Sequence, residues 1–193
     1  MKSFDEYLAL AEQAHGHMCA GQVLGVRLAL YGLRLLGIDD PAGKDRKRLV
    51  TFIEIDRCAT DAVGVVTGCR LGRRSLKFRD FGKVAATFCD LETQRAVRVV
   101  AVERSRERAR ELHPEIRDLK QQQLLAYREM PDQDLFEAHW VRVKLEPADL
   151  PGHKAPPAFC AQCGEAVKFR RELEREGRIL CRACAGEAYY EPR

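Results

Sequence analysis

The sequence predicts an α+β fold: a core domain with a mixed sheet, followed by a small metal-stapled domain. Three observations predict it. Apolar residues recur at helical spacing through the first 36 positions. Four short β-rich runs then interleave with helical stretches without strict βαβ alternation. Four of the eight cysteines fall in two close pairs near the end. At 46% hydrophobic and 32% charged, the 193 residues have the composition of a globular chain, which excludes disordered and fibrous classes.

Taken in order, Phe4, Leu8 and Ala11 mark a first helix that closes before His15-Gly16-His17. A second starts near Gly21 and runs as VLGVRLALYGLRLL, with Leu24, Leu28, Tyr31 and Leu35 on one face and Gly37 past its end. Beyond the charged turn DDPAGKDRKR, residues 49–55 (LVTFIEI) read as a buried strand. Asp61 to Val66 read as a short helix broken by Gly68, and further strands are expected at 84–88, 96–102 and 139–145. The helical stretch 104–128, interrupted at Pro114, carries the alternating charge of a solvated face.

Residues 147–157 hold four prolines, at 147, 151, 156 and 157, and form a semi-rigid linker. It separates a core of residues 1–146 from a tail, 158–193, too short to fold on apolar burial alone. Cys160-x2-Cys163, then 17 residues, then Cys181-x2-Cys184 supplies the staple. Each pair directs two thiolates from one tight turn, and four sulfurs close a tetrahedral structural Zn²⁺ shell. The arm KFRRELEREGR mixes cations with glutamates, which argues against nucleic acid and for docking a partner or covering a site.

No apolar stretch reaches the roughly 18 residues of a membrane span. The opening MKSFDEYLALAEQ carries acids where an export signal would be apolar. The expected setting is the cytoplasm, where eight cysteines are metal ligands or reactive thiols rather than disulfides. The net charge of +4 is mild.

The core has its own constellation. His15, His17 and Cys19 place three soft-metal ligands on one loop at the start of a helix, where oriented N–H groups favour thiolate. Cys58-Ala-Thr-Asp61 and Thr67-Gly68-Cys69 add two thiols and a carboxylate able to orient a ligand or carry a proton. Whether Cys58 and Cys69 meet Cys19 does not follow from spacing. Cys89, in VAATFCD, reads as a structural thiol.

HGHMCAGQVLGVRLA, EIDRCATDAVGVVTGC and LGRRSLKFRDFGKVAATF, in that order, resemble the FmdE family of formylmethanofuran dehydrogenase proteins. The proline linker and cysteine-paired tail resemble its two-domain members. The resemblance implies a thioredoxin-like core with about five strands flanked by helices, a homodimer, and a metal pocket built from His17, Cys19, Cys58, Asp61 and Cys69. Ala20, Arg70 and Arg73 depart from the family pattern and leave the ligand set intact.

Two functions follow as expectations. One is a metal-binding accessory protein for a molybdenum or tungsten oxidoreductase, its pocket holding a second Zn²⁺ or other soft metal, or carrying sulfur on Cys19 or Cys69. The other is a free-standing metal-dependent enzyme with an open position at the same site and Asp61 as proton carrier.

Overall fold

The computed structural model describes residues 1–191. It divides into two units, with the boundary between Lys144 and Leu145. The first opens on Ser3, whose hydroxyl accepts from the Glu6 N–H at 3.2 Å while the Glu6 carboxylate accepts from the Ser3 N–H at 2.7 Å. This reciprocal cap starts α1, Phe4–His15, which ends at Gly16 with φ of 91°. Helix α2, Ala20–Leu36, ends the same way at Gly37.

Strand β1, Leu49–Ile53, is followed by α3, Cys58–Thr67, then β2, Leu76–Phe78; β3, Ala85–Asp90; and β4, Ala96–Ala101. Helices α4 (Arg104–Leu112), α5 (Leu119–Glu129) and the short α6 (Asp132–Leu135) lead into β5, Phe136–Val141. The five strands form the expected mixed sheet, in the order β2-β1-β3-β4-β5. Strand β2 lies parallel to β1 and the other pairings are antiparallel.

Three boundaries differ from the sequence expectation. Strand β2 is three residues long and sits inside a basic run, so no alternating pattern marks it. Strand β5 spans 136–141 rather than 139–145: Ala96 pairs with Val141, and β4 has no residue beyond Ala96 to continue the ladder. Helix α3 starts at Cys58 rather than Asp61, because the Thr60 N–H donates to the Arg57 carbonyl at 2.8 Å and closes a turn before apolar periodicity begins.

Helix α2 crosses the sheet and sets the core. Val23, Val26 and Leu33 are fully buried with Phe88, Val97 and Val99 of β3 and β4. Gly32 leaves room for the Phe88 ring: a Cβ there would lie 2.2 Å from it. Arg27, in the same apolar helix, donates to the carbonyls of Tyr127, Arg128 and Met130 at 2.7–3.1 Å and to Asp132 at 2.7 Å. It thereby satisfies the carbonyl end of α5.

The second unit holds two hairpins, β6 (Ala158–Phe159) with β7 (Ala166–Val167), and β8 (Leu173–Arg175) with β9 (Arg178–Leu180). Glu176 and Gly177 both have positive φ, as a two-residue hairpin turn requires. Among the described residues, no helix is long and apolar enough to cross a membrane.

Candidate metal centres

In the second unit each cysteine pair occupies the turn after a strand. Gly164, with φ of 75°, closes the first turn by donating to the Cys160 carbonyl at 2.9 Å. The Ala161 N–H reaches across to the Ile179 carbonyl at 2.8 Å and ties the two turns together. As a result the sulfurs of Cys160, Cys163, Cys181 and Cys184 all lie within 4.8 Å of one another. Backbone N–H groups of Cys163 and Cys181 lower the Cys160 thiol to about 6, and the Cys184 thiol, hydrogen-bonded to its neighbours' sulfurs beginning with Cys181, is pushed up to about 12. Four converging sulfurs on a ribbon with almost no apolar interior fit a structural metal such as zinc.

The core cluster is assembled at the start of α2. The positive φ of Gly16 turns the chain after α1, and one ligand atom each of His15, His17 and Cys19 come within 4.8 Å of one another. The two imidazoles are 4.7 Å apart, tilted by 41°. The His15 Nδ1 is 2.8 Å from the Asp61 carboxylate, which fixes the ring and leaves Nε2 for a ligand role.

Cys58 comes beside Cys19 through helix packing. Gly21 and Gly25, one turn apart on α2, let α3 approach closely: a Cβ on Gly21 would lie 2.9 Å from the Cys58 Cβ, and one on Gly25 only 2.5 Å from the Ala59 carbonyl oxygen. The Cys19 and Cys58 sulfurs are each 3.7 Å from the empty Gly21 Cβ position. Burial, followed by the neighbouring Cys19 sulfur, pushes the Cys58 thiol up. Gln22 Nε2 donates to the Cys58 carbonyl at 2.6 Å and holds the first turn of α3 in place. Two nitrogens and one sulfur converge, with the Cys58 sulfur beside Cys19, a donor set that suits a soft divalent metal.

Cys69 is elsewhere. It is buried at the end of α3, accepts from the Thr51 hydroxyl at 3.5 Å and lies 3.7 Å from the Leu49 carbonyl. Burial raises it, against the lowering effect of hydroxyls from Thr51, Thr67 and Ser75. It lines a cavity of about 480 Å³ together with Asp61, outside the His15/His17/Cys19 group. Cys89 is a buried strand thiol pushed up to about 12 by burial.

A larger cleft, about 1060 Å³, opens beside the cluster and is lined by His17, Cys19 and Cys58. The sequence reading missed both this cleft and the two-glycine contact that builds the site. The spacing of Gly21 and Gly25 was the available signal for the contact. The cleft had none, because its walls come from four separate helices and the sheet.

The comparisons agree with this architecture. The chain is 31% identical to a "Probable S-adenosyl-L-methionine-binding protein" of Archaeoglobus fulgidus, over 94% of this chain and 53% of that one. It thus spans about half the length of that curated relative. In fold it is similar to the crystal structure of a tungsten formylmethanofuran dehydrogenase FmdE-like protein from Syntrophus aciditrophicus, with a TM-score of 0.64 and 24% identity, covering 98% of this chain and 96% of that one. The family model described as "FmdE, Molybdenum formylmethanofuran dehydrogenase operon" matches residues 14–137, which include every core cysteine and histidine discussed above, and the chain therefore belongs to the FmdE family.

Proposed function

We propose that this FmdE protein is a metal-binding accessory to molybdenum or tungsten oxidoreductase chemistry, with a soft metal held in the core by His15, His17, Cys19 and Cys58. The observation that carries this reading is the convergence of three ligand atoms within 4.8 Å at the start of α2, with Cys58 packed beside them. A metal there would supply Lewis acidity or an affinity for sulfur. Asp61 orients His15, Cys19 and Cys58 stand at the N-terminal ends of α2 and α3, and the ribbon serves as the docking module. The family description and the naming of the Syntrophus relative support the molybdenum or tungsten association. The reading includes a homodimer in the cytoplasm, checked by light scattering.

The test is metal per chain by elemental analysis after anaerobic purification. Wild type is expected to hold two, and Cys19→Ser/Cys58→Ser one. Cys69→Ser is expected to keep both, and a loss there would return Cys69 to the ligand set. A single metal in wild type and in the double variant would overturn the core site.

A second reading, a free-standing metal-dependent enzyme on a small substrate, is favoured by the cleft that reaches His17, Cys19 and Cys58. Copurification with an oxidoreductase supports the first reading, and turnover by the isolated chain the second.

A further inference from the structure

The amino ends of four helices meet at the large cleft. Its walls include Cys19 to Gly21 of α2, Arg57 to Ala59 of α3, Glu103, Ser105 and Arg106 at the start of α4, and Asp118, Lys120 and Gln121 at the start of α5. Each end concentrates positive partial charge from aligned peptides, and the effect of all four falls on one space. Neither Cys19 nor Arg57, the N-caps of α2 and α3, makes a side-chain capping bond.

Asp118 caps α5 and Glu103 stands at the start of α4, yet the side-chain charge of the lining is net positive. Arg57, Lys83 and Lys120 line the cleft and form no ion pair or side-chain hydrogen bond among the described residues. The two carboxylates on the walls are already engaged: Glu103 pairs with Arg106 at 3.4 Å, and Asp118 accepts from the Lys120 N–H at 2.9 Å. Four cations against two anions leave the lining at +2.

Arg57 caps α3 and Lys120 sits in the first turn of α5, where a cation opposes the helix dipole. Elsewhere the chain obeys the dipole, as in α1 with Asp5 and Glu6 in its first turn and a full capping box. The acids at these helix starts, Asp61 in α3 and the Asp118 cap of α5, leave Arg57 and Lys120 themselves without a side-chain partner among the described residues. Lys83 is positioned as well: the N–H groups of Phe81 and Lys83 both donate to the Glu54 carbonyl at 3.1 Å and anchor the loop that presents it. Between the cations, Met18, Leu24, Val100 and Leu124 offer apolar surface.

We propose that this cleft binds an organic anion, its acid group held by Arg57, Lys83 and Lys120 and its apolar part lying on Met18, Leu24 and Leu124. The volume is that of a pocket for a cofactor-sized molecule. His17, Cys19 and Cys58 share the same wall, so on the metal reading given above the anion is the substrate or cofactor of that centre.

The probe is anilinonaphthalene sulfonate, titrated by fluorescence at low salt against the full chain. One site per chain is expected, with affinity falling about tenfold in Lys83→Gln/Lys120→Glu. The same site should be competed by phenyl phosphate or benzoate, whichever matches the natural acid group, and not by neutral benzyl alcohol. Lys120→Glu alone should raise Tm by about 1–3 °C while weakening binding, the opposite of what a structural lysine would show. Cys19→Ser/Cys58→Ser should lose the core metal yet retain the dye, so failure of the metal reading is distinguishable from failure of this one. Affinity unchanged in Lys83→Gln/Lys120→Glu, or lost only on Phe159→Ser/Tyr189→Ser in the ribbon, would overturn the proposal.

Discussion

The two thiol clusters of this chain are built by opposite routes. The ribbon draws its four sulfurs from one stretch, 160–184, through two tight turns, each closed by its own backbone. The core cluster draws on residues 15–19 and 58, which meet only because α2 and α3 pack through Gly21 and Gly25. The first arrangement rests on turns with almost no apolar interior, and the second on two helices packed into an apolar core. The same ligand types are therefore gathered by local turns in one unit and by helix packing in the other.

The largest effect should come from breaking the ribbon's side of this contrast. Removing metal with a strong chelator, or making Cys160→Ser/Cys163→Ser, should unfold residues 158–191 and leave the core intact. A structural zinc contributes on the order of 10 kcal/mol to such small domains. Limited proteolysis should then yield a stable fragment ending near Lys144, and loss of the core together with the ribbon would refute the contrast.

The next effect breaks the core's side. In Gly25→Ala the new methyl meets backbone atoms of Ala59 at 2.5 and 2.7 Å, which cannot yield without separating the helices. Overpacking of this kind costs about 1–3 kcal/mol, beyond the helix propensity that alanine gains. Urea unfolding should show that loss, with the core metal weakened and the ribbon metal unchanged. Gly21→Ala, 2.9 Å from the Cys58 Cβ, should move metal affinity more than stability.

Acid tests the core away from its thiols. Burial alone would raise the Asp90 carboxyl, but Arg48 at 2.6 Å, the Thr93 hydroxyl and the Glu92 N–H hold it down at about 2. A carboxyl depressed in the folded state stabilises above its unfolded value near 3.9, and that contribution is lost as pH falls through 2. The core should therefore lose up to about 2 kcal/mol between pH 5 and 2. Asp90→Asn should flatten that part of the stability–pH curve. The smallest change is Asp61→Asn, which keeps the shape beside His15 and removes the charge. Core metal affinity should fall about 10–100-fold by titration, with little change in Tm.

Legibility in the sequence follows the same division. The ribbon ligands, the glycine-terminated ends of α1, α2 and α3, and four of the five core strands are written in local spacing. Strand β2 is not, because three residues within a basic run acquire their sheet identity from β1. That His15, His17 and Cys19 converge was readable from their loop, whereas the placement of Cys58 depended on how two helices approach. Cys69 resembles a ligand in its motif but is held by Thr51 beneath the sheet, and only the tertiary fold shows this. Arg27, a cation within an otherwise apolar helix, carries no local sign of its role, which is to cap the carbonyl end of α5.

That arginine also sets a schedule. Its carboxylate partner, Asp132, comes 105 residues later in the chain. At ribosomal rates of about 5–20 residues per second, α2 waits roughly 5–20 s for the segment that closes over it. During that interval the thiol at the start of α2 is open to whatever metal or oxidant the surrounding solution contains. The cleft beside Cys19 is thus completed only late in synthesis, when α4 and α5 supply its remaining walls.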